Sequence, residues 1–176
     1  TKELGVAKKA LILDHSEYDL NHVIADIDEI RRLNPQRHEM EQLTAVCYED
    51  PERHICVGYK DLRPDEFWVR GHMPSMPLMP GIVMLEAAAQ ISAYFAQKYD
   101  YLGAKMIGFG GLEEVRFRDP VIPGDRLILI SKRLKARRGR MIICRFQGLV
   151  GERIVVDGVL KGIPIPVDVL LAGKED

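Results

Sequence analysis

Apolar positions in this chain follow two different periods, and the change between them marks out its elements. Val23, Ile27 and Ile30 recur at helical spacing with Asp26, Asp28 and Glu29 on the opposite side, and Asn34-Pro35 ends the run. Asn21 is the expected cap of this short helix. Two strand-like runs follow, Leu43 to Tyr48 and His54 to Lys60, joined through Glu49-Asp50-Pro51, and Phe67-Trp68-Val69 reads as a third extended piece. A proline-punctuated loop from His72 to Pro80 then feeds a helix expected over Gly81 to Lys98. Ile82, Val83, Met84, Leu85, Ala87, Ala88, Ile91, Tyr94 and Phe95 put apolar side chains on every face of it. Such a helix is expected to be buried all round, and at 1.5 Å per residue it spans about 27 Å. The remainder is strand after strand: Glu113–Phe117, Arg126–Leu134, Met141–Leu149 and Ile154–Ile163. Pro123-Gly124-Asp125, Arg138-Gly139 and Gly151-Glu152 mark the turns. Strands gathered around one long helix, without βαβ alternation, predict an α+β fold: a curved antiparallel sheet wrapped around a central helix.

The chain has 176 residues, 47% hydrophobic and 29% charged, the mixture of a single globular domain. Residues 1–20 read as an N-terminal extension or arm whose apolar run Ala10 to Leu13 can pack, and residues 21–176 as the domain. Lys and Arg total 25 against 26 for Asp and Glu, so no global field attracts nucleic acid or an anionic membrane. The distribution is uneven. The first 52 residues carry twelve acidic and six basic groups, whereas Lys132 to Arg140 carries six basic groups and no acid. Cys47, Cys56 and Cys144 form no C-x-x-C pair, which argues against a disulfide framework or a zinc site and for core thiols in a reducing compartment. The longest apolar segment, Gly81 to Ala96, is interrupted by Glu86 and Gln90 and is short for a bilayer. No secretory signal is legible at the start. A soluble, cytoplasmic protein is expected.

Chemistry concentrates at three positions. Glu86 lies early in the apolar helix, where an unpaired carboxylate is costly; it is either a structural glutamate with a satisfied partner or a carboxyl group tuned for acid–base work. His72 differs from His15, His22, His38 and His54 by its context, Gly71-His72-Met73-Pro74, followed by Pro77 and Pro80. Three prolines within seven residues stiffen a loop that must hold a side chain in place. Pro80 suits the helix start, and the N–H of Gly81 points out of the helix N-terminus, where negative charge developing on oxygen is stabilised. Gly108-Phe109-Gly110-Gly111 lacks the third glycine of a dinucleotide fingerprint, and His38-Glu39-Met40-Glu41-Gln42 is not H-E-x-x-H. No metal or cofactor is expected.

The run from Gly71-His72-Met73-Pro74 through Met79-Pro80-Gly81 to Leu85-Glu86-Ala87-Ala88-Ala89-Gln90 resembles the active-site signature of the β-hydroxyacyl-acyl carrier protein dehydratases of FabZ type. Asp26–Ile30 resembles that family's N-terminal helix, and Arg116–Asp125 its segment after the central helix; the likeness spans roughly residues 24 to 163. It implies the hot-dog fold, in agreement with the pattern above. It also implies a catalytic histidine at His72, a catalytic glutamate at Glu86 and an oxyanion-hole amide at Gly81. Met73 and Ser75 depart from the usual Phe and Gly, and Asn34–Met40 keeps the spacing of a family segment near the substrate tunnel while replacing its apolar residues with charged ones.

The implied reaction is loss of water from a (3R)-hydroxyacyl thioester to give a trans-2-enoyl thioester in fatty acid biosynthesis. His72 would act as base and Glu86 as the acid or the group orienting the water. The resemblance further implies acyl carrier protein as partner, with no nucleic acid and no membrane. It implies a site shared between the subunits of a dimer, and hexamers built of three dimers are common in that family. The basic stretch Lys132 to Arg140 is either a solvated hairpin or a dock for the acidic carrier. Rival readings are a FabA-type 3-hydroxydecanoyl dehydratase–isomerase, which typically has Asp at the position of Glu86, a hot-dog thioesterase, and a non-catalytic acyl-thioester-binding protein.

Overall fold

Alternation along the strands sorts side chains onto two faces of one sheet, and each face acquires its own core. The computed structural model describes residues 10–172. In chain order it has α1 (Ile27–Leu33), β1 (Ala45–Asp50), β2 (Ile55–Asp61), α2 (Gly81–Lys98), β3 (Ile107–Phe117), β4 (Arg126–Arg137), β5 (Met141–Val150), β6 (Arg153–Pro164) and α3 (Val167–Ala172). The six strands form one antiparallel sheet in the order β1-β2-β4-β5-β6-β3, curved around α2. In β4, Leu127 and Leu129 face α2 and pack with Ala88 and Ile91. Ile128 and Ile130 face the other way and join Val57, Leu149 and Leu13.

The helix approaches the sheet closely because small residues allow it. Ala87 and Ala88 are fully buried, and a Cβ on Gly58 of β2 would lie 2.8 Å from Ile91 Cδ1 and from Ala45 O. A buried Ser92–Ser131 hydroxyl pair at 2.7 Å ties α2 to β4. At the helix C-terminus, Glu49 of β1 accepts from Tyr94 Oη, Tyr99 Oη and Lys98 Nζ at 2.7, 3.0 and 2.8 Å. These contacts fix the helix along its axis and about it.

Several expectations are corrected. Asp26, not Asn21, caps α1, accepting from Asp28 N and Glu29 N. Phe67–Val69 is not extended: Val69 N and His72 N donate to Glu66 O and Trp68 O, forming turns around the buried Trp68. The strand expected at Glu113 begins at Ile107, its first half hidden in sequence by Gly108, Gly110 and Gly111. The segment Lys132–Arg137 continues β4 through a bulge between Arg133 and Lys135, and α3 was not expected. The central helix has the expected bounds but is not buried all round. Ile82 is 80% exposed, and Glu86, Ala89 and Ala93 continue a half-buried stripe at helical spacing.

Residues 10–20 lie on the sheet face opposite α2. Leu13 is buried in that outer core. Ile12 N donates to Gln147 Oε1 at 2.8 Å, and Gln147 Nε2 donates to Ala10 O at 3.0 Å. Asp14 and Glu17 form a capping box over His15–Glu17, and Arg53 holds Glu17 at 2.6 Å.

Candidate active site

The loop between Trp68 and α2 is closed on itself. His72 N donates to Trp68 O at 2.8 Å, Leu78 N donates to His72 O at 2.8 Å, and Met79 N donates to Val121 O at 2.8 Å. His72 Nδ1 lies 2.8 Å from Leu78 O. A carbonyl oxygen only accepts, so Nδ1 carries the proton in this contact and the lone pair is left on Nε2. The side chain is exposed, and the contact holds the ring so that Nε2 is the nitrogen that accepts a proton in the neutral form.

Gly81 opens α2. Pro80 O accepts from Val83 N and Met84 N, which starts the helix and leaves the N–H of Gly81 ahead of the ladder. The ring of Phe117 lies against it: a Cβ at position 81 would stand 2.7 Å from Phe117 Cε1 and Cζ. A side chain at this position would have to displace the Phe117 ring. Gly81, Leu78, Phe117 and Asp119 are among the residues lining an open groove of about 570 Å³.

Glu86 sits at the junction of two other cavities. One, of about 380 Å³, is mostly apolar and is lined by Phe67, Ile82, Phe109 and Leu112 among others. The other, of about 80 Å³, is narrow and runs between α2 and strands β3, β5 and β6 past Gln36, Ser92 and Leu160. The carboxyl group is not unpaired. Oε1 accepts from Gln90 Nε2 at 2.8 Å and from Gln36 Nε2 at 3.3 Å. Gln90 is itself a hub: its Nε2 also donates to Met40 O at 2.6 Å, and its Oε1 accepts from Gln42 N at 2.8 Å. Asn34 Nδ2 donates to Gln90 O at 2.9 Å. The loop 34–42 is thereby clipped onto α2 around Glu86.

Within one chain the candidate residues occupy separate places. Glu86 lines two cavities and His72 neither, while the groove at Gly81 contains neither side chain. Residue spacing missed Gln36, Gln90 and Phe117. The one signal near them was the charged character expected of Asn34–Met40.

The thiols of Cys47, Cys56 and Cys144 are free and buried, outside these cavities. Burial pushes Cys47 up to about 11 and Cys144 up to about 12, which makes both poor nucleophiles. Among the described residues no helix is long and apolar enough to cross a membrane.

Comparison with known proteins extends over most of this architecture. Residues 34–158 match the FabA-like domain family. The 3-hydroxyacyl-[acyl-carrier-protein] dehydratase FabZ of Desulfotalea psychrophila is 36% identical over 137 residues, 77% of this chain and 90% of that protein. FabZ of Clostridium kluyveri is 31% identical over 134 residues, 76% of this chain and 92% of that protein. Among solved structures, the dehydratase heterocomplex ApeI:P from Xenorhabdus doucetiae superposes with a TM-score of 0.63 at 15% identity, covering 83% of this chain and 97% of that one. Cj0977, a sigma28-regulated virulence protein from Campylobacter jejuni, gives 0.57 at 14% identity, covering 81% and 94%. At these identities the structural matches speak for the hot-dog fold alone.

Proposed function

The chain belongs to the FabA-like family, and from that premise we propose how its own residues carry out the reaction. The protein is a 3-hydroxyacyl-acyl carrier protein dehydratase, a lyase that removes water from 3-hydroxyacyl thioesters. His72 Nε2 takes the α-proton, and the electron pair moves into the thioester carbonyl, whose oxygen is met by the N–H of Gly81. Glu86 gives a proton to the 3-hydroxyl as the C3–O bond breaks, so that water leaves and the double bond closes between C2 and C3. The protonated histidine and the glutamate carboxylate then reset through solvent. The observation that carries this reading is the contact between His72 Nδ1 and Leu78 O, which leaves the base nitrogen free.

Self-association supports the same chemistry. Ile82, Phe67, Phe109 and Leu112 are exposed and all line the groove beside Glu86. An uncovered apolar rim around a carboxyl group fits a surface completed by a second copy, which would bring one subunit's His72 to the other's Glu86. For the carrier, the structure narrows the basic stretch. Arg133 stacks on Tyr101 and Arg138 binds Asp100, whereas Lys132, Lys135, Arg137 and Arg140 make no ion pair among the described residues. Lys132 stands directly opposite Arg145 of β5, a like-charged pair that an acidic partner would relieve.

The test is enoyl-thioester absorbance with a 3-hydroxyacyl carrier substrate. His72→Ala and Glu86→Gln should each slow dehydration by at least about 10²-fold while remaining folded. Mixing the two inactive proteins under subunit exchange should restore activity. A fully active His72→Ala protein would remove the base assignment, and no recovery on proven exchange would place each site within one chain.

A further inference from the structure

The side-chain amides of loop 34–42 are engaged in one sense only, two of them donating to α2 and one within the loop. Asn34 Nδ2 donates to Gln90 O, Gln36 Nε2 to Glu86 Oε1, and Gln42 Nε2 to Glu39 O. The three amide oxygens, Asn34 Oδ1, Gln36 Oε1 and Gln42 Oε1, are buried and accept nothing among the described residues. Buried amides left half-satisfied call for a reason. For Gln36 the reason is Glu86. Turning the amide over would set its oxygen against a carboxylate oxygen, so the orientation that leaves Oε1 unpaired is the one that serves the carboxyl group. Apolar side chains would fill this position without that cost, so the position is not explained by packing.

The count of lone pairs gives the consequence. A carboxylate oxygen accepts two in-plane hydrogen bonds, and Glu86 Oε1 already receives two, from Gln90 and Gln36. Oε2 receives none from the described residues, so the acidic proton belongs on Oε2. We propose that Gln36 is a positioning residue of the dehydration: together with Gln90 it saturates Oε1 and thereby fixes on Oε2 the proton that Glu86 delivers to the leaving hydroxyl. The proposal rests on the dehydratase reading of Glu86. Gln36 itself touches neither the base nor the thioester. With Gln36 absent, Oε1 regains a free lone pair, the proton divides between two oxygens, and the carboxyl plane loses one of its two restraints.

Two variants separate positioning from structure. Gln36→Leu should fold with an unchanged urea midpoint, since it removes a half-satisfied amide. Its kcat should fall about 10-fold, the worth of one hydrogen bond to a charged group, with KM held within about 2-fold. Gln36→Glu places a second carboxyl group where the amide stood 3.3 Å from Glu86. Protonated, that group donates as glutamine does; ionised, it repels the carboxylate. Its kcat relative to the wild type should therefore recover as the pH falls from 8 to 5.5, a response that loss of packing does not produce. A kcat within 2-fold of wild type for Gln36→Leu, or a Gln36→Glu to wild-type ratio flat with pH, overturns the proposal while leaving a wild-type dehydratase intact. Wild-type protein that dehydrates no 3-hydroxyacyl thioester overturns the underlying reading instead.

Discussion

Replacing Gly81 by alanine separates catalysis from stability in a way the structure allows to be sized. The added methyl group would meet Phe117 Cε1 and Cζ at 2.7 Å, inside van der Waals contact, so the ring must move. Phe117 is 54% exposed and can swing outward at little loss of burial. Alanine in turn favours the helix over glycine by up to about 1 kcal/mol. The two effects leave the urea-derived stability within about 1 kcal/mol of the parent. The groove that Gly81 and Phe117 line is altered in the same step, directly beneath the amide proposed to meet the thioester oxygen. A displacement of about 1 Å at such a position costs up to about 10²-fold in rate. Urea titration followed by tryptophan fluorescence, paired with enoyl absorbance on one preparation, reads both quantities. Activity within 2-fold of the parent would show that the amide of Gly81 is not close to the reacting carbonyl. A loss of more than about 2 kcal/mol would show instead that Phe117 is locked and that the glycine serves the fold.

Two further outcomes follow from surface charge and from the buried thiols. Replacing Lys135, Arg137 and Arg140 by glutamine should raise KM for a carrier-linked substrate and flatten its salt dependence, while a short thioester free of carrier reacts as before; equal loss on both substrates would remove the docking role. Cys47 and Cys144 should resist a thiol reagent until the protein unfolds. Their burial holds the folded pKa values at about 11 and about 12 against 9.0 for the free group, so the folded state keeps protons that the unfolded chain releases. That contribution to stability is complete below pH 9 and is lost as the pH rises through the folded values; a urea midpoint constant from pH 9 to 11 would contradict the burial.

Periodicity located what periodicity encodes. The bounds of α2 are readable because Pro80-Gly81 opens it and a mostly apolar run fills it, and β4, β5 and β6 are readable because apolar runs lie between turn signals. The first half of β3 is not readable, since three glycines within four residues look like a loop. In the sheet two of them admit close neighbours: a Cβ on Gly110 would meet Ile163 Cγ2 at 2.7 Å, and Gly108 lies against Ile165. The Phe67–Val69 error has a similar cause, because aromatic and β-branched residues score as strand while the buried indole of Trp68 is what holds the turn. His72, Glu86 and Gly81 were read from the sequence as a spaced set. Their supports were not, because Gln36 lies 50 positions from Glu86 in sequence and hydrogen-bond partners leave no periodic trace.

The uncovered stripe of α2 ties these threads together. An all-apolar helix in a closed core would leave Glu86 fully buried, where an ionised carboxyl group is too costly to keep and out of reach of a substrate. On an exposed helix the side chain would be reachable but free to rotate. The sheet resolves this by ending at β3, so that Ile82 stays exposed and Glu86, Ala89 and Ala93 half-covered while the opposite faces of the same turns pack against β2 and β4. Loop 34–42 then adds a second amide donor, Gln36, to the carboxyl oxygen that Gln90 of α2 already holds, and Asn34 and Gln42 lock Gln90 in the position from which it donates. The polar residues of this loop therefore do not erode the pocket around Glu86. They hold the carboxyl group by one oxygen, and the other has no hydrogen-bond partner among the described residues, beside two cavities that Glu86 lines.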